Sequence, residues 1–169
     1  MITENTYKKF ESHLSSSNDN QYKGELFEKY VFHLLKEHFL FKENIKEVWR
    51  FNDIPASIRE KFKLSQVDHG IDILIYDKSK RYIGIQVKFR KDQGKLGWSK
   101  DKLANLFAAA ELDGFAIFSN CLDVDRYTRD RKKLVYTFLK EDFFKIDDSL
   151  HQNIISLINN AVPKNTFQR

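Results

Sequence analysis

Residues 70–89 read GIDILIYDKSKRYIGIQVKF, two apolar runs joined by a polar break. Ile71–Tyr76 and Tyr82–Phe89 alternate as strands do, and the DKSKR between them suits a hairpin loop. Successive side chains of a strand point to opposite faces. Ile83, Ile85, Val87 and Phe89 therefore share one face of the second run, while Tyr82, Gly84, Gln86 and Lys88 share the other. In the first run Asp72, Leu74 and Tyr76 lie opposite Ile71, Ile73 and Ile75. Pairing through the Asp77–Arg81 turn brings Asp72 toward Gln86 and Lys88. A carboxylate, an amide and an amine gather on one face, beside Gly84, which leaves room for a group to approach.

That grouping has a chemical use. A hard divalent cation such as Mg2+ or Mn2+ takes oxygen ligands. Asp72 offers a carboxylate, Gln86 an amide carbonyl and Val87 a backbone carbonyl. A cation held there would neutralise phosphate charge and acidify a water, with Lys88 placed to orient or deprotonate that water. The plainer reading is the wet face of an amphipathic strand, or an edge strand guarded by lysine. Leu74 and Tyr76 on the matching face argue for partial cover instead.

Upstream, Leu26, Phe27, Tyr30, Val31, Leu34, Leu35 and Phe39 recur at helical spacing and predict an amphipathic helix over 22–40. Glu28 sits at the edge of its buried stripe. Residues 31 and 32 are Val and Phe, so no cation lies one turn on to pair with Glu28, whereas Glu25 has Lys29 at i,i+4. Ile45–Phe51 reads as a strand, and Pro55 opens a short helix reaching about Leu64. Ser99 caps a helix expected over Lys100–Leu112, ended by Gly114. FAIFSN and LVYTFL read as strands, and 147–161 as a closing helix. A hairpin followed by helix and strand implies an α/β fold, a mixed sheet with helices on its faces.

The pattern GIDILI, then IGIQVKF, resembles the PD-(D/E)xK nuclease superfamily, in the variant where Gln replaces the second acid, as in Mrr-like restriction endonucleases. Such proteins carry an upstream helix with a Gly and a Glu four residues later. Here KGELFEKYVFHLL supplies Gly24 and Glu28. No proline precedes the acid; Asp72 follows Gly-Ile. The resemblance spans about residues 22–120. It implies a restriction-endonuclease-like mixed central sheet flanked by helices. It also implies Mg2+- or Mn2+-dependent cleavage of DNA by Glu28, Asp72, Gln86 and Lys88, with Asp72, Gln86, Val87 and Glu28 as the metal set. QVKF and FSN also resemble nuclease modules fused to superfamily 2 helicases, so a helicase domain in the same or a partner chain is an implied partner. Double-strand cutting would favour a homodimer.

The basic loop after the hairpin holds Arg90, Lys91, Lys95, Trp98 and Lys100, which suit phosphate contacts and a stacked base. The net charge of +5 is compatible with a polyanionic partner. A non-cleaving DNA-binding module of the same fold is the alternative, and a domain that binds a protein partner a third. Asp68 and His69 read as turn residues, with contact to a second metal or the substrate as the alternative, and His13, His33, His38 and His151 lack metal-ligand spacing. Cys121, the single cysteine, allows no intrachain disulfide, which fits a reducing compartment. No apolar stretch approaches a membrane span, and no signal peptide is apparent. The expectation is an intracellular protein, cytoplasmic or nucleic-acid-associated. It would consist of a polar N-terminal segment at 1–20, one domain over 21–162 and a tail at 163–169.

Overall fold

The computed structural model describes residues 6–64, 70–109 and 111–167, with side chains placed to residue 160. Asp68 and His69 lie outside the described residues. The chain opens with helix α1 (Thr6–Ser16). Asp19 then caps α2 (Asn20–Glu37) by accepting from the Tyr22 amide, and α3 (Phe39–Asn44) leads into strand β1 (Ile45–Arg50). Pro55 starts the short α4 (Ala56–Lys61). The central hairpin is β2 (Ile73–Asp77) and β3 (Tyr82–Lys88). Next come β4 (Lys95–Leu96), α5 (Ala104–Phe107), β5 (Gly114–Ser119), β6 (Asp123–Val124), α6 (Arg126–Arg129), β7 (Leu134–Phe138), α7 (Lys140–Phe144) and α8 (Asp148–Phe167).

The five-stranded sheet has the order β1-β2-β3-β5-β7, and β4 and β6 form a small second sheet. β1, β2 and β3 run antiparallel to their neighbours, while β3, β5 and β7 are parallel. One end of the sheet therefore collects the carboxyl ends of β1, β3, β5 and β7 with the amino end of β2. Open sheets with parallel strands place their ligand sites at such carboxyl ends.

Alternation sorts the strands into two cores. Ile73, Ile75, Ile83, Ile85, Ala116 and Phe118 pack with Phe27, Tyr30, Leu34 and Leu35 of α2 and Ile154 of α8. Leu74, Phe115 and Ile117 face the other way, with Ile71, Leu103, Leu106 and Leu112. β5 is buried on both faces along its length, as a parallel central strand requires. The face carrying Gln86 is thus a second core rather than a wet surface.

Three expectations are corrected. The 1–20 segment is not simply polar tail, because α1 buries Tyr7 and Leu14 in the first core. The helix expected over Lys100–Leu112 contracts to α5. Asp101 accepts from the Gly97 amide (2.7 Å), Leu103 N–H reaches back to the Trp98 carbonyl, and Lys102 adopts φ 57°. A left-handed residue there breaks the helix before it can run. Gly84 leaves no space for a ligand. A Cβ on it would lie 3.0 Å from Leu112 Cδ1 and 3.4 Å from Ile71 Cγ1, so the room is already taken by the second core.

Candidate active site

Asp72 stands at the amino end of β2, where the hairpin ladder ends. The register pairs Ile73 with Ile85 and Leu74 with Gly84, and one step further sets Asp72 opposite Gln86. The Asp72 amide donates to the Ile85 carbonyl (2.8 Å), and its own carbonyl accepts from Phe51 N–H (2.9 Å). The side chain continues the ladder, with Oδ2 accepting from the Val87 amide at 2.8 Å. In an extended strand a residue's N–H and C=O lie on the same edge, so the Val87 carbonyl faces Asp72 as well.

Gln86 is 5% exposed, and its Oε1 has no hydrogen-bond partner among the described residues. A buried amide oxygen left unmatched costs about 1–3 kcal/mol. A hard cation would satisfy it, so the oxygens of Asp72, Gln86 and Val87 fit a divalent ion by donor type and by this orphaned atom. Lys88, two residues on, shares the Gln86 face and is half-buried at the strand end. It makes no ion pair among the described residues.

Glu28 reaches this region from α2. It lines a pocket of about 410 Å³ with Glu25, Arg50, Asp53 and Asp72. Glu28 does have a cationic partner, from the neighbouring strand rather than its own helix. Arg50 at the end of β1 donates through Nε (2.9 Å) and Nη2 (2.5 Å) to Glu28 Oε2. Arg50 is the site residue that the sequence reading missed. Its signal was its position at the end of a strand destined to flank β2. Glu25 pairs with Lys29 at 3.9 Å, as its spacing predicts. No group of three or more His, Cys, Asp or Glu side chains placed to hold a metal occurs among the described residues.

The basic loop divides. Arg90 is tied down: its guanidinium pairs with the buried Asp101, and its backbone exchanges two hydrogen bonds with the Asn120 side chain (2.8 and 2.7 Å). Trp98 is half-buried against Phe107 and Tyr127, with ring centroids 5.2 and 4.9 Å away. Lys91, Lys95 and Lys100 are exposed. Cys121 is buried, and burial pushes its thiol up, which suppresses the thiolate. His151 is also buried, and its Nδ1 lies 2.8 Å from the Tyr30 hydroxyl.

A family model described as restriction endonuclease matches residues 36–135. The match covers more than half of the chain, and the chain belongs to this restriction endonuclease family. No curated protein matches it significantly. Among solved structures, one similar protein is the ATP-dependent Type ISP restriction-modification enzyme LlaBIII bound to DNA. The likeness has a TM-score of 0.58 and 21% identity over 76% of this chain. At that identity it speaks for the fold alone, and the chain spans 8% of that protein's length. No helix among the described residues is long and apolar enough to cross a membrane.

Proposed function

We propose that this chain is a Mg2+- or Mn2+-dependent DNA endonuclease domain with its site at the amino end of β2. The observation that carries the reading is the buried, unpartnered Gln86 Oε1 set opposite Asp72, whose carboxylate is fixed on the Val87 amide. Asp72, Gln86 and the Val87 carbonyl would hold the cation, with Glu28 supporting it from α2. When bound, the ion supplies charge neutralisation on the phosphodiester and acidifies a water. The chain's own part is orientation. Asp72 is locked by the ladder, Arg50 fixes Glu28, and Lys88 holds the attacking water or takes its proton. Lys91, Lys95 and Lys100, with Arg90 and Trp98 shaping their loop, would contact the DNA backbone. Membership of the restriction endonuclease family supports DNA as the substrate. A helicase domain in the same or a partner chain would deliver it inside the cell, and two copies would cut both strands.

A cleavage assay on supercoiled and branched DNA with Mg2+ or Mn2+ tests this. The wild type is expected to nick or cut, and Asp72→Asn and Lys88→Ala to lose cleavage while keeping DNA binding. Full activity in Lys88→Ala would sink the mechanism.

One observation favours a second reading. Glu28 is engaged by Arg50, and Gln86 and Lys88 do not line the pocket that Glu28 and Asp72 share. The same fold could then hold DNA without cutting it. Calorimetry decides: DNA binding with no Mg2+ or Mn2+ binding would select the non-cleaving module.

A further inference from the structure

A second pocket, of about 690 Å³, opens between α1, the segment after β3, and α7. Its charge is opposite to that of the first. Lys8, Lys91 and Lys140 line it, against the single carboxylate of Glu11. The Asp72 pocket sets four carboxylates, on Glu25, Glu28, Asp53 and Asp72, against the one guanidinium of Arg50.

The basic pocket is built from the inside. Glu11 is 5% exposed, and burial pushes its carboxyl up, while Asn120, Lys140, Tyr7 and Gln93 around it pull the other way. Its Oε1 accepts from Gln93 Nε2 (2.5 Å). The Gln93 Oε1 in turn accepts from Lys140 Nζ (2.6 Å). Lys140 is thus held by a neutral amide, with two N–H donors remaining. Neither Lys91 nor Lys140 forms an ion pair among the described residues. The Lys8 and Lys140 ammonium nitrogens both lie over the Phe144 ring, 4.8 and 5.4 Å from its centroid, which gathers the two charges at one pocket wall. Glu11 Oε2 has no partner at full hydrogen-bonding geometry among the described residues. That oxygen only accepts, so it offers a phosphate nothing; the donors the pocket presents are the ammonium groups of Lys8, Lys91 and Lys140.

Both pockets lie at the same end of the sheet. Arg50 and Asp72 close β1 and β2 there. Lys91 follows Lys88 by three residues, and Lys140 follows β7 by two. We infer that the α1–α7 pocket binds backbone phosphates of the nucleic-acid strand whose scissile bond lies at Asp72. The inference rests on the reading of that site as acting on DNA, and it supplies what the acidic pocket lacks. Without a cation, Glu25, Glu28, Asp53 and Asp72 repel a polyanion, so attachment must come from elsewhere on this end. Ser12 and Ser15 on α1 add hydroxyl donors at the rim, as phosphate recognition commonly does.

The test is metal-free. Fluorescence anisotropy with a labelled duplex in chelator gives the dissociation constant as a function of salt, for the whole chain. Lys8→Ala/Lys140→Ala is expected to weaken binding at low salt at least tenfold. It should also lower the slope of log K against log salt by about two, one for each lost phosphate contact. Ser12→Asp, an exposed change that puts a negative charge at the rim, is expected to weaken binding without altering the melting temperature. Unchanged affinity and slope in both variants overturn the inference. So does a pocket that takes up inorganic phosphate by NMR titration while duplex binding ignores both variants, since that marks a small-anion site. Loss of binding in both variants from a protein that never cuts DNA keeps the pocket as a backbone-phosphate site and removes the nuclease reading with its scissile bond at Asp72, so the two fail separately.

Discussion

Asp72, proposed above as a cation ligand, is also a structural residue, because Oδ2 accepts the bond a strand carbonyl would otherwise take. The amide in Asp72→Asn keeps an oxygen for the Val87 N–H, so that variant separates charge from fold. Its melting temperature is expected to stay within a few degrees of wild type while cation binding is lost. Gly70, two residues earlier, is held at φ 89°, and a Cβ there would lie 2.8 Å from the Leu106 amide nitrogen. The obstacle is backbone, which cannot swing aside. Gly70→Ala is expected to destabilise by about 2 kcal/mol or more in urea unfolding. Arg50 sets a fixed positive charge beside the oxygens proposed for the cation. Arg50→Met is expected to tighten Mn2+ binding severalfold, worth about 1 kcal/mol, as read by calorimetry. The register that sets Asp72 opposite Gln86 was legible because strand alternation is a local rule. The Arg50–Glu28 pair was not, because the two residues are 22 apart and meet only when β1 docks beside α2.

At the scale of elements, α2 and the hairpin were readable because their apolar periods are long and unbroken. α1 was hidden by one residue. Tyr7, Phe10 and Leu14 keep helical spacing, but Glu11 is one of the three buried positions of the stripe, so the pattern looks polar. α5 was overestimated because LANLFAAA is good helix material, and the loop around Asp101 overrides it. The docking of α8 on α2 carries a pH dependence. His151 bonds to Tyr30 in the core, and burial pulls its pKa below 6.5. The unfolded chain then binds the proton more readily than the folded one. This contribution is complete above pH 6.5 and is lost as the pH falls through the lowered folded value. His33 and His38 shift in the same direction. Chemical denaturation from pH 7.5 downward is expected to show falling stability below 6.5, and His151→Phe to make the fall shallower.

Across the whole molecule the two faces of the sheet are unequally covered. Long helices α1, α2 and α8 seal one face, while short elements and loops around α4, α5 and the β4–β6 pair seal the other. Local opening follows contact density. Amide exchange is expected to be slowest in β3 and β5 and fast across residues 95–109. Protection of that segment equal to the central strands would contradict the assignment of its stability to loop packing. The sequence made the sheet and its flanking helices readable; the charge contrast between the two pockets was not, since it depends on which loops meet at one end.

The rung that Asp72 closes also fixes a timescale. An ordinary surface carboxylate turns about its χ1 bond in picoseconds to nanoseconds. Asp72 cannot turn without releasing the Val87 amide, so its reorientation is a fraying event of the hairpin. Carbonyl relaxation at Asp72 and amide exchange at Val87 should therefore share one rate, and the carboxylate keeps time with the sheet.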